Sequence, residues 1–125
     1  MAKLTKEILD AWNQRNGPVV LTTVAADGTP NAIYATCVGA FGEETLVVAD
    51  NYFSKTRANI QAGCKGSILF ITKDNKAFQV KGCLAYHQSG PVFEDMKRWN
   101  PTNHPGHAAA ALHVEAVYSG AKKVL

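Results

Sequence analysis

Six short stretches of β-branched or alternating apolar residues constrain this chain more than any other feature. They run Val19 to Val24, Ala32 to Val38, Thr45 to Ala49, Gly66 to Thr72, Ala77 to His87 and Ala108 to Tyr118. A period of two puts successive side chains on opposite faces of a strand. In the second stretch Ile33, Ala35 and Cys37 share one face, and Ala32, Tyr34, Thr36 and Val38 share the other. Turn residues separate the stretches: Ala25 to Asn31 with Asp27-Gly28 at its centre, Gly39 to Glu43, and Lys73 to Asn75. The first three strands read as a meander. The last stretch is ambiguous, because its four alanines favour a helix. Yet Leu112, Val114, Ala116 and Tyr118 alternate, and a sixth strand would remove an open sheet edge. Six antiparallel strands with no long polar insertion predict a mainly β fold, a closed or nearly closed barrel with flanking helices.

Three segments break the strand period. Leu4, Ile8, Ala11 and Trp12 lie on one helical face, with Thr5 able to cap the start and Asn16-Gly17-Pro18 to stop the end. Ser54 to Ala62 is a short helix with Ser54 as N-cap and Gly63 as stop. Pro91 opens the third helix at its first position. Glu94 and Asp95 sit early, and Lys97 and Arg98 sit late, as the helix dipole favours.

A chain of 125 residues with 46% apolar and 18% charged side chains fits a single domain spanning residues 1–125, with one packed core. The net charge of +3 is scattered, which argues against a nucleic-acid binder. No apolar run approaches the ~18 residues of a membrane span, and the polar N-terminus lacks a signal-peptide core. The expectation is a cytoplasmic protein. Cys37, Cys64 and Cys83 form no CxxC pair and read as buried free thiols. His104 and His107 are too few for a closed zinc site, so His104-Pro105-Gly106-His107 reads as a polar loop. His87 and His113, in strands, read as structural. No nucleophile triad, glycine-rich nucleotide loop or carboxylate pair is visible, so no catalytic or metal-binding residue is assigned and the chemistry falls to a cofactor.

The segment suited to hold one is Ser54-Lys55-Thr56. A helix start offers unpaired N–H groups and partial positive charge to a phosphate. Lys55 adds a full charge, Thr56 a hydroxyl, and Arg57 a fork of donors if it points inward. On local physics alone a Ser-capped surface helix with solvated charges is the commoner arrangement. A cofactor whose phosphate sat at this point could lay its ring along the second strand. Tyr34 and Thr36, or Ile33, Ala35 and Cys37, would face the ring, depending on which face is open. Asn51 is a further candidate for ring and ribityl contacts.

The Ala-Asp-Gly-Thr-Pro turn, the run Ser54-Lys55-Thr56-Arg57-Ala58-Asn59-Ile60 and the helix opening Ser89-Gly90-Pro91-Val92-Phe93-Glu94 resemble the small FMN-binding proteins of the pyridoxamine-phosphate-oxidase-like split-barrel superfamily. The resemblance covers nearly the whole chain. It implies a homodimer with FMN near the subunit interface, its phosphate on Lys55 and Thr56 and its ring beside Ile33 to Cys37. The implied activity is electron transfer or flavin-dependent oxidoreduction with an unnamed redox partner or small-molecule acceptor. The alternative is a non-enzymatic protein that stores or senses flavin. Some relatives hold a deazaflavin or haem instead, the latter requiring a histidine ligand. A true pyridoxamine-phosphate oxidase carries a basic C-terminal substrate segment, and this sequence ends at Leu125 without one. The expectation is therefore cofactor binding without that oxidase reaction. The His104–His107 loop could cover the flavin edge of the partner subunit.

Overall fold

The structure is a computed structural model and describes residues 2–125. It is mainly β: three helices flank one antiparallel sheet. Helix α1 (Lys6–Asn13) precedes strands β1 (Val19–Val24), β2 (Pro30–Ala35), β3 (Val38–Phe41) and β4 (Thr45–Asp50). Helix α2 (Lys55–Gln61), strands β5 (Lys65–Ile71) and β6 (Ala77–His87), helix α3 (Pro91–Trp99) and strands β7 (Ala108–Ser119) and β8 (Lys122–Lys123) follow. The sheet order is β2-β1-β5-β6-β7-β4-β3, with β8 paired to β7. No helix among the described residues is long and apolar enough to cross a membrane.

The strand count is eight rather than the six expected, and the main difference lies at the second stretch. That stretch is broken at Thr36-Cys37. Its first half pairs with β1, and its second half, prolonged to Phe41, pairs with β4. The expected turn over Gly39 to Glu43 is therefore strand as far as Phe41. Because β2 and β3 are the two ends of the sheet order and are separated by only two residues, the sheet must curl until its ends meet at this break.

The curl encloses a core from alternate residues. Leu21, Ile68, Val80, Leu112 and Val48 are buried inside it, and one end is closed by Ile8 and Trp12 of α1 together with Leu4 just before it. Trp12 meets Phe70 edge-on at 5.1 Å, and Phe70 stacks on Phe78 at 5.4 Å. The Thr5 side chain caps α1 by accepting from the Ile8 N–H. The alanine run is strand, as expected, and its small side chains have a packing reason. On the outer side of β7, Ala109 packs with Val47, Ala49 and Met96, where α3 lies against the sheet.

Two local readings need correction. Alternation in β7 does not continue to Tyr118. A bulge at Lys81/Gly82 shifts the β6–β7 register, pairing Lys81 with Ala116 and Gly82 with Val114. The extra residue, Glu115, reverses the inward face, so Val114 and Val117 are both buried while Ala116 and Tyr118 are not. The cysteines are free, but none is fully buried: Cys37 and Cys64 are half-buried. Cys83 is exposed on β6 and its thiol donates to Glu115 at 3.0 Å. That hydrogen bond raises the thiol pKa, because the thiolate would face the same carboxylate.

Candidate functional site: the cavity at the strand break

The break between β2 and β3 opens a cavity of about 280 Å³. Its floor is Ile33, Tyr34, Ala35, Thr36 and Cys37, with Ala49 beneath. In a regular strand these five residues would divide between two faces. The interruption at Thr36-Cys37 brings both sets to one cavity, so the question of which face is open has no single answer. Asn51, Tyr52 and Phe53, leaving β4, form one wall, and His104 forms another. Small residues at Ala35 and Ala49 leave room for a flat ring to approach the backbone. Among the described residues no cluster of histidine, cysteine or carboxylate side chains could hold a metal ion.

The segment from Asp50 to Arg57 is held by a buried ionic knot. The side chain of Asp50 is fully buried. It accepts from Arg57 Nε at 2.7 Å and Nη2 at 3.0 Å, from the Tyr86 hydroxyl, and from the Phe53 N–H at 3.0 Å. Arg57 was a candidate phosphate donor; two of its nitrogens are committed to Asp50 instead. Burial pushes the Asp50 pKa up, but the hydrogen bonds from Arg57, Tyr86 and Phe53 outweigh it, and the carboxyl lies below its ordinary 3.8. A depressed pKa contributes stability that is present above the unfolded value and lost as pH falls through the folded one. Asp50→Asn should therefore lower the melting temperature by an amount that is constant above about pH 5 and shrinks below about pH 4. A difference unchanged from pH 7 to pH 3 would show that the charge contributes nothing.

Around this knot the other candidates fall into distinct settings. Thr56 is buried, and its hydroxyl accepts from Asn31 Nδ2 at 2.9 Å; Asn31 and Asn59 both donate to Thr23. Thr56 thereby ties α2 to β1 and β2. Ser54 occupies the N-cap position, but its side chain makes no capping bond, contrary to expectation. The Ala58 N–H pairs with the Ser54 carbonyl, so the N–H groups of Lys55, Thr56 and Arg57 remain the open donors of the first turn. Lys55 is exposed and makes no ion pair among the described residues.

Asn51 lines the cavity, yet its amide serves the scaffold. It exchanges two hydrogen bonds with Asn100, at 3.1 and 2.9 Å, and accepts from the Gly106 N–H at 2.9 Å. This clasp fixes the 101–107 loop against the end of β4. Gly106 has φ +54°, and a Cβ there would lie 3.0 Å from Asn100 Nδ2 and Lys97 Nζ. Lys97 donates to the carbonyl oxygens of Pro105 and Gly106. The loop thus sets His104 at the cavity, where its Nδ1 lies 3.2 Å from the Tyr52 hydroxyl. The sequence reading placed His104 in a polar loop; the clasp that brings it to the site needs Asn51 and Asn100 together, 49 residues apart. Elsewhere, His113 meets the Thr45 hydroxyl at 3.2 Å, while the buried Nε2 of His87 has no hydrogen-bond partner among the described residues.

A curled antiparallel sheet whose two ends meet at a cavity-lined strand break defines a small barrel-like fold. The family model for pyridoxamine 5′-phosphate oxidase matches residues 4–120, and the chain belongs to that family. HupZ of Group A Streptococcus superposes with a TM-score of 0.80 at 24% identity, over 93% of each chain. An FMN-binding protein from Syntrophomonas wolfei superposes with a TM-score of 0.74 at 22% identity, over 93% of this chain and 82% of that one. Both likenesses establish a shared fold. An uncharacterized protein of Methanocaldococcus jannaschii is 27% identical over 92 residues, 72% of this chain and 60% of that protein. The chain thus spans less than two thirds of that relative's length.

Proposed function

We propose that the protein binds FMN at the β2–β3 break and carries electrons on it as a homodimer. The observation that carries the reading is the cavity itself: a floor of Ile33 to Cys37 and a wall, Asn51 to Phe53, that leads within two residues to the exposed Lys55, which has no ion-pair partner among the described residues. Its size, about 280 Å³, is at the lower edge of ligand sites, which run from roughly 300 Å³. That volume suits the ring rather than the whole cofactor. The ring would lie along Ile33 to Cys37. The phosphate would lie outside, on Lys55 and the open N–H groups of Lys55, Thr56 and Arg57, with Ser54 beside them. When bound, FMN supplies one- and two-electron chemistry; the protein supplies position, exclusion of water and charge. The FMN-binding relative from Syntrophomonas wolfei supports the cofactor assignment.

The dimer reading rests on an exposed apolar face. Val20 pairs with both Tyr34 and Leu69, so the three side chains share the outer face, joined by Val24 and Ile71 two or four residues along. Tyr34 is 79% exposed, and Val24, Leu69 and Ile71 are about 40% exposed. An apolar patch of this kind marks an interaction surface, and twofold pairing is the commonest use. Tyr34 belongs to both the patch and the cavity, which would set the bound ring beside a second subunit.

The expected result is a yellow protein that releases FMN on denaturation and sediments at about twice 13.5 kDa. Visible absorption combined with sedimentation of the coloured species checks both parts. A colourless chain that also ignores added FMN refutes the cofactor reading. A yellow monomer at micromolar concentration refutes only the dimer.

A further inference from the structure

Tyr52 and His104 meet each other across the cavity mouth, and their contact has no obvious role in folding. Tyr52 is 73% exposed, and the two rings stand edge-to-face at 5.7 Å with the hydroxyl on Nδ1. A contact between exposed side chains contributes little to stability. The scaffold nonetheless holds both partners firmly. Tyr52 follows the Asp50 knot, and His104 sits on a loop pinned by Asn51, Asn100 and Lys97. Bonding of Nδ1 to Tyr52 leaves Nε2 as the free polar atom of the ring.

Among the cavity-lining residues only His104 has a side chain that can become a cation. The charged groups around it are otherwise engaged. Lys97 on α3 is bonded to two loop carbonyls, Asp50 is paired with Arg57, and Asp95 is bonded to Arg98. His107, in the same loop, is exposed. No carboxylate pairs with His104 among the described residues, so its charge is available to the cavity. A volume of about 280 Å³ is a space roughly 8 Å across, no wider than the Debye length of about 8 Å at physiological salt. Any charge on an occupant therefore lies within reach of the imidazole, whatever its orientation.

We infer that His104, aligned by Tyr52, selects the charge state of the cavity's occupant, favouring an anion over a neutral molecule when the imidazole is protonated. The inference rests on the FMN reading. Oxidised isoalloxazine is neutral, whereas the reduced ring readily carries a negative charge, so His104 would favour the reduced form and raise the potential of the bound flavin.

The test is the midpoint potential of FMN bound to the full chain, measured spectroscopically at about pH 6 and about pH 8.5. Wild type is compared with His104→Gln and Tyr52→Phe. A tenfold preference for the reduced anion corresponds to about 30 mV for a two-electron couple. Wild type should sit about 30 mV above His104→Gln at the lower pH, and the gap should close at the higher one. Tyr52→Phe, which keeps the ring but frees the imidazole, should narrow the gap at the lower pH. Equal potentials of wild type and His104→Gln at the lower pH, or a gap independent of pH, with FMN still bound, would overturn the inference and leave the flavin reading standing. A chain that binds no FMN overturns both.

Discussion

Replacement of Lys55 by alanine should weaken FMN binding by about 10- to 150-fold while leaving riboflavin binding nearly unchanged. Lys55 is exposed and has no carboxylate partner among the described residues, so its removal strands no buried group. A hydrogen bond to a charged group contributes roughly 1.5–3 kcal/mol, and ~1.4 kcal/mol is a factor of ten in affinity. The phosphate of FMN carries about −1.5 to −2 charges at neutral pH, by analogy with other phosphate monoesters. Solvent exposure places the effect toward the lower end of the range, and added salt should reduce it further. Riboflavin lacks the phosphate, so the comparison separates an electrostatic contact from a folding defect. Equal losses for both ligands, or no loss for FMN, would remove Lys55 from the phosphate site. Thr56→Val is a different experiment from the one its sequence context suggests. It replaces the buried Thr56 hydroxyl and removes one of the two acceptors of the half-buried Asn31 amide, so its first effect should be on stability.

How far this site could be read from the chain depends on the range of the interactions that build it. The stretch Ile33 to Cys37 could be singled out because it neighbours, in the expected meander, the strand that leads into the Ser54 helix start, and because the family resemblance places it beside a ring; which face was open could not be read. The break at Thr36-Cys37 was not legible, since nothing local in that run disrupts a strand. The interruption arises because one half pairs with β1 and the other with β4, at opposite ends of the sheet order. Arg57 and Asn51 carried the right chemistry for a ligand, but their partners claim them first. Asp50 lies seven residues from Arg57, and Asn100 lies 49 from Asn51. His104 shows the reverse case, a residue read as loop that long-range bonds carry to the cavity.

The bulge in β7 obeys the same logic and has the sharper consequence. Gly82→Ala should destabilise the fold severely, by ~3 kcal/mol or more, and should disturb β6 and β7 together. An added Cβ would lie 1.9 Å from the His113 carbonyl oxygen and 2.8 Å from its carbon. Both are backbone atoms of a paired strand, so neither can rotate aside as a side chain could. The cost exceeds ordinary overpacking of about 1–3 kcal/mol, because relief requires the β6–β7 ladder to separate at its register shift. Loss of the bulge would carry the alternation on from Val114, turning Val117 out of the core and Ala116 and Tyr118 into it, which opposes any simple escape. Gly39→Ala is the useful comparison. The nearest atoms to its Cβ would be those of the Trp99 ring, at 3.0–3.1 Å, and a side chain on α3 can yield by a few tenths of an ångström. Denaturant unfolding of the two variants should place Gly82→Ala well below Gly39→Ala, with Gly82→Ala failing to fold as the extreme outcome. Equal stability would mean that β6 and β7 can approach without a glycine, and that the bulge does not set the inward face of the last long strand.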